Sequence, residues 1–171
     1  MKKILNLSSN DLKSAVKPLE NDISQWKPDV VLLPGNGACR LKEYISSDFN
    51  FVHVEISRAK GAHSASYLRK VVGELPVPVR DLLRILHNKY LLWKRRPPQL
   101  SSDVALKALE GRIYIIDDAA DSGDTIRKLK GELTSGSIRV GVFVVTSRLA
   151  KDTVDFACHE NILVRFPWVK L

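Results

Sequence analysis

No apolar run in this chain approaches the roughly 20 residues that a membrane-spanning helix needs, so a spanning helix is not expected. Cysteine is scarce. Cys39 and Cys158 are the only two and form no Cys-x-x-Cys pair, which excludes a disulfide framework and a thiolate metal cluster. Both read as reduced core residues. His53, His63, His87 and His159 are scattered without metal-ligand spacing, so structural or surface roles are expected of them. No internal repeat or low-complexity segment is present. The opening Met1-Lys2-Lys3-Ile4-Leu5-Asn6-Leu7 is too short and too quickly polar for a secretory signal, and a cytoplasmic protein is expected.

What remains is ordinary globular chemistry: 171 residues, 44% hydrophobic and 27% charged, enough for one domain (1–171) with a real core. The charge is not balanced, at +8. A basic protein can bind nucleic acid or concentrate a polyanionic small molecule. The densest cluster, Lys89, Lys94, Arg95 and Arg96 beside Trp93, stands just ahead of Pro97-Pro98. It reads first as a solvated helix end with a proline stop, and second as a surface for single-stranded nucleic acid.

The most informative stretch begins with four apolar residues, Ile113 to Ile116, which read as a strand covered on both faces. Asp117-Asp118-Ala119-Ala120-Asp121-Ser122-Gly123-Asp124-Thr125 follows, then a helix over 124–133 with Ile126, Leu129 and Leu133 on one face. The turn presents backbone N–H groups and a helix N-terminus, and Gly123 allows close approach, so an anion fits there. Asp117 and Asp118 are unsuited to phosphate because like charges repel. They suit sugar hydroxyls or a hard cation such as Mg2+. An ordinary strand-to-helix turn capped by Asp and Ser is the bland alternative.

This run resembles the phosphoribosyl pyrophosphate motif of the type I phosphoribosyltransferases, matched without a gap. The resemblance implies that Asp117 and Asp118 hold the ribose 2′- and 3′-hydroxyls. Residues Asp121, Ser122, Gly123, Asp124 and Thr125 would wrap the 5′-phosphate, with Ser122 and Thr125 lending hydroxyls. Asp121 would lie near N7 of a 6-oxopurine, as a general base or hydrogen-bond acceptor. Asp124 departs from the pattern, which often has Gly or Lys there.

Two flanking regions extend the resemblance in the right order. The apolar run Val30-Val31-Leu32-Leu33 ends at Pro34-Gly35-Asn36-Gly37, and a helix over 38–46 is expected after it. In the family such a loop binds pyrophosphate, so Gly35, Asn36 and Gly37 take that role by resemblance. The xanthine-guanine branch, whose Trp-x-Pro-Asp lead-in is matched here by Trp26-Lys27-Pro28-Asp29, usually has Arg-Gly-Gly in the loop, and this chain has no arginine there. Pro-Gly-Asn-Gly is equally a good turn sequence. The end, Leu163-Val164-Arg165-Phe166-Pro167-Trp168, is similar to the closing segment of 6-oxopurine enzymes. There Leu163 and Val164 fall at the base-contacting places, and Phe166 and Trp168 read as core plugs. Arg148 and Lys151 are candidates for the contact to the base's 6-oxo group.

The remaining pattern predicts a helix over 11–26 capped by Ser9 or Asn10 and interrupted or bent near Pro18. It adds an edge or half-covered strand over 51–57, a small helix over 103–109, and strands over 139–146 and 162–166. Strands alternating with helices predict an α/β fold, a parallel sheet flanked by helices. A lid or helical insertion spans 58–100, holding the Ser57-Arg58 and Ser66-Tyr67 pairs and an apolar helix over 80–93. The resemblance implies an Mg2+-dependent transferase that moves phosphoribosyl from phosphoribosyl pyrophosphate to a nucleobase, purine by preference, and a homodimer. Two alternatives stay open. One is a phosphoribosyl pyrophosphate-binding regulator, with or without nucleic acid. The other is a hydrolase or transferase with a different acceptor.

Overall fold

The apolar runs stack as parallel neighbours because each is buried on both faces and alternates its side chains between two helical layers. The structure, a computed structural model, describes residues 3–57, 79, 99–100, 106–134 and 136–168. In chain order the elements are β1 (Lys3–Asn6), α1 (Ser9–Ala15), α2 (Lys17–Trp26), β2 (Val30–Pro34), α3 (Gly35–Lys42), β3 (Phe51–Val54), β4 (Ile56–Ser57) and β5 (Gln99–Leu100). After a short 3-10 turn come β6 (Arg112–Ala120), α4 (Asp124–Glu132), β7 (Ser137–Val145), α5 (Arg148–Lys151), β8 (Phe156–Glu160) and β9 (Ile162–Arg165).

Strands β3-β2-β6-β7-β8 form one all-parallel sheet. Val31, Leu33, Tyr114, Ile116 and Phe143 face a core closed by Leu12, Leu19, Ile23 and Leu41 from α1–α3. Their neighbours Val30, Leu32, Ile113, Ile115 and Val142 face Ile126 and Leu129 of α4 and Ala150 of α5. One polar group on α2 ties that helix to two strands of the sheet. Asp22 on α2 accepts from Tyr114 (2.5 Å) and, in a fork, from Arg139 (2.9 and 2.7 Å).

Several boundaries differ from the sequence reading. The helix over 11–26 is interrupted, as its Pro18 led one to expect: two helices meet at Val16, because Pro18 is accommodated in the first turn of a new helix rather than inside an old one. Its cap is Ser8, which exchanges hydrogen bonds with Asp11, and not Ser9 or Asn10. The helix over 103–109 is only the 3-10 turn Leu106–Ala108 within the described residues. Strand 51–57 splits into β3 and β4, and β3 is an edge strand as its alternation predicted. Strands β1 and β8 have no counterpart in the sequence reading. The last strand joins β1, in register Ile4↔Leu163 and Leu5↔Val164, and not the main sheet. The expected lid, the helix over 80–93, the Ser66-Tyr67 pair and the Lys94–Arg96 cluster lie outside the described residues. The chain leaves for that segment along β4 and returns along β5, paired antiparallel.

Glu20 fixes the turn after α3. Its buried carboxylate accepts from Lys17 Nζ (2.6 Å) and from the N–H and hydroxyl groups of both Ser46 and Ser47 (2.7–3.0 Å). Burial alone raises its pKa, but the bonds from Lys17, Ser47 and Ser46 outweigh it and lower the value from near 4.5 to about 2. A depressed folded pKa stabilises the fold above the unfolded value, and that contribution is lost as pH falls toward 2. Glu20→Gln should cost about 2 kcal/mol at pH 7 and much less at pH 2.5. Urea unfolding at the two pH values measures this, and an equal cost at both would refute the assignment.

Candidate functional site

The site grows out of the C-terminal ends of β2, β6 and β7, where an open parallel sheet places its ligand crevice. Main-chain pairing carries β6 four residues past Ile116. Asp117 pairs with Val142, Ala119 with Val144 and Ala120 with Val145. Asp117 and Asp118 are therefore strand residues, held by the ladder, and not part of the turn. Asp117 is buried and its Oδ1 accepts the Asp118 N–H at 2.9 Å. Burial pushes the Asp118 carboxyl up, hydrogen bonds involving Asp117 and the Ala119 backbone partly offset this, and the nearby Asp121 charge adds to the rise.

The turn proper is Asp121 to Gly123. Asp121 Oδ1 accepts from the hydroxyl of Thr146, whose own N–H donates to Ala120 O at 3.0 Å. Gly123 begins α4 at φ +76°, in the left-handed region. A Cβ there would come within 2.7 Å of Thr153 Oγ1, so glycine is required twice over. Ser122 Oγ donates to Asp124 Oδ2 (2.8 Å), and Arg127 donates to both Asp124 Oδ1 (2.7 Å) and the Ser122 carbonyl. Asp117 and residues 119–126 line a solvent-open cavity with about 280 Å³ of empty space. Every member of the sequence-identified run except Asp118 lines it.

Gly35, Asn36 and Gly37 depart from expectation. The strand β2 runs to Pro34 and the helix starts at Gly35, φ +71°, so these residues are the first turn of α3 and not a loop before a helix at 38. No side chain caps that turn, leaving its N–H groups to other partners. Gly37 lies against the Asp118 carboxylate: a Cβ on it would be 2.5 Å from Asp118 Cγ. The glycine turn and Asp118 thus meet.

The base-end candidates are less uniform. Arg148 is exposed at the start of α5, two residues beyond Thr146. Lys151 pairs with Glu160 at 2.9 Å on the surface. Val164 packs in the core with Phe166, and strand alternation turns its neighbour Leu163 to the other face. Both are buried, at 5% exposure each, Val164 within that cluster and Leu163 outside it. Phe166 stacks on Trp168 at 4.6 Å, and both belong to or pack on the core, as plugs. Sequence reasoning missed Thr146, Arg127 and Thr153. Their contacts come from β6–β7 register and from the fold of the turn. Only Arg127 left a sequence signal, as a cation three residues after Asp124.

Among the described residues no three His, Cys, Asp or Glu side chains converge as a metal site, and no helix is long and apolar enough to cross a membrane. No family model and no curated protein matches this chain in sequence. Solved structures match it in fold. The fold is similar to a purine phosphoribosyltransferase from Pyrococcus horikoshii Ot3, with TM-score 0.63 and 17% identity, covering 98% of this chain and 95% of that one. It is similar also to Helicobacter pylori xanthine-guanine-hypoxanthine phosphoribosyltransferase, with TM-score 0.61 and 12% identity, covering 98% and 93%. A hypothetical protein from Neisseria gonorrhoeae with bound ppGpp matches with TM-score 0.58 and 13% identity, covering 100% and 92%. The α/β architecture is that of the type I phosphoribosyltransferases, as the sequence resemblance implied.

Proposed function

We propose that this protein transfers phosphoribosyl from phosphoribosyl pyrophosphate to a nucleobase of purine type, releasing pyrophosphate. The observation that carries this reading is the ungapped run from Asp117 to Thr125, folded as strand, turn and helix around an open cavity beside the glycine turn of α3. In the reaction a ring nitrogen bonds to the anomeric carbon as the bond from that carbon to pyrophosphate breaks, and the base loses its ring proton. The transition state is oxocarbenium-like, so positioning and charge placement supply most of the rate.

Asp117 and Asp118 take the ribose hydroxyls. The N–H groups of Ser122, Gly123 and Thr125 and the Thr125 hydroxyl take the 5′-phosphate, the Asp124 N–H being donated to Ser122 Oγ at 3.3 Å. Asp121, anchored through one oxygen by Thr146, has its other oxygen for the base. Leu163 and Arg148 are the candidates for the base's apolar face and its oxo group. Two adjacent carboxylates, with no third His, Cys, Asp or Glu converging on them among the described residues, suit Mg2+, which keeps waters and shares substrate phosphates rather than filling a protein cage. Asp117 and Asp118 would hold it, and its charge would ease departure of the pyrophosphate.

A second reading has its own support. The α3 turn has no arginine, and the Neisseria gonorrhoeae protein of this fold carries ppGpp. Both features suit a sensor of phosphorylated ribose ligands with little turnover. A pyrophosphate-release assay with phosphoribosyl pyrophosphate, Mg2+ and a panel of purine and pyrimidine bases separates the two. Release with a purine is expected. Silence across the panel, with saturable ppGpp binding, would favour the sensor.

A further inference from the structure

The turn that should accept a phosphate dianion is crowded with negative charge: Asp117, Asp118, Asp121 and Asp124 fall within nine residues. Asp124 is the worst placed of these, in the first turn of α4 and on the cavity wall where the N–H groups converge. A bare carboxylate there would itself be drawn to the helix N-terminus and would compete with, and repel, a phosphate at that end. It is not bare. Arg127, one turn further along α4, holds Asp124 Oδ1 at 2.7 Å and, through the same Nη2, the Ser122 carbonyl. Asp124 Oδ2 is taken by the Ser122 hydroxyl at 2.8 Å. Both carboxylate oxygens are thus turned back onto the turn's own atoms.

We propose that Arg127 is a positioning residue for phosphate binding: its ion pair with Asp124 cancels that carboxylate's charge and fixes the Ser122–Thr125 turn. The inference rests on the functional reading above. Arg127 does not line the cavity, so it acts through Asp124 and not by touching the ligand. The arrangement also explains how this chain tolerates an acid where the resembled pattern has Gly or Lys. Arg127, one turn along the helix, neutralises that acid and leaves the position without net charge. Ser122 is drawn into the same unit. While its hydroxyl donates to Asp124 it has no proton for a phosphate oxygen, so the phosphate is held by backbone N–H groups and Thr125.

A purely structural role and a charge-cancelling role make different predictions. Ribose 5-phosphate is the probe, because it carries the phosphate and needs no turnover. Its affinity is measured by calorimetry for the wild type, Arg127→Gln, Asp124→Asn and the double variant, with thermal melting confirming that each folds. Arg127→Gln should weaken binding about five- to tenfold, a modest value because the pair is partly exposed, and the defect should shrink in high salt. Adding Asp124→Asn should restore affinity to within about twofold of wild type, since the charge to be cancelled is gone. Unchanged binding by Arg127→Gln overturns the inference. So does a double variant as weak as Arg127→Gln, which would trace the loss to the Ser122 carbonyl bond alone. A wild type that binds no ribose 5-phosphate overturns the functional reading itself, and the inference with it.

Discussion

Asp121→Asn should lower kcat for nucleotide formation about 100- to 1000-fold while changing the KM for phosphoribosyl pyrophosphate less than about threefold. The substitution keeps the size of the side chain and its acceptor for Thr146, so the turn should keep its shape. What it removes is the negative charge and the proton acceptor offered to the base. The effect therefore belongs in the transition state, where the ring nitrogen sheds its proton, and not in ground-state binding of the sugar. Thr146 supplies the control. Thr146→Val leaves Asp121 charged but unanchored and should cost about tenfold in kcat, because a loosely held group gives up part of its orientation advantage. Thr146→Ser retains the hydroxyl and should stay within about twofold. Steady-state pyrophosphate release measures all three. An Asp121→Asn enzyme within twofold of wild type would remove Asp121 from the chemistry.

Gly37→Ala is expected to be nearly as damaging, by a different route. In a helix interior alanine is favoured over glycine by about 1 kcal/mol, so secondary-structure preference alone predicts a more stable protein. Packing opposes it. The new methyl would lie 2.5 Å from Asp118 Cγ, and the part that must yield is the carboxylate assigned to a ribose hydroxyl. Overpacking of this kind costs about 1–3 kcal/mol. Because Asp118 can swing aside, the cost should fall on ligand affinity more than on folding. The expected result is a 10- to 100-fold weaker phosphoribosyl pyrophosphate complex, with a melting temperature within a few degrees of wild type. Titration calorimetry beside thermal unfolding separates the two effects. Wild-type affinity in Gly37→Ala would mean that the α3 turn and Asp118 do not share a site.

The strand, turn and helix around Asp117–Thr125 were legible because every signal is local: an apolar run, a glycine at the sharp turn, a 3.6-residue period after it. The end of β6 was not. Whether Asp117 and Asp118 lie in strand or turn depends on β7 continuing beside them to Val145, a pairing no local pattern reports. Strand β8, Phe156-Ala157-Cys158-His159-Glu160, escaped for a related reason. It is an edge strand with half-buried residues along most of its length, so it has neither the apolar run of a central strand nor clean alternation. Strand β1 is four residues long and finds its partner at the far end of the chain.

The same distinction governs the site. The residue type at Gly123 announced the left-handed turn found there. The Thr146 anchor on Asp121 and the Gly37–Asp118 contact are products of sheet register. That Leu163 and Val164 are both buried and face opposite ways became visible only with the strand and its pairing to β1.

The central claim is that the turn from Ser122 to Thr125 cradles a phosphoribosyl phosphate. Titrating phosphoribosyl pyrophosphate with Mg2+ into uniformly 15N-labelled protein, and following backbone amide resonances, tests it most directly. The account predicts saturable shifts that are largest at the amides of Ser122, Gly123, Asp124 and Thr125, with a second group at Asn36 and Gly37. Saturable binding that leaves residues 122–125 unmoved, or no binding at millimolar ligand, would contradict it.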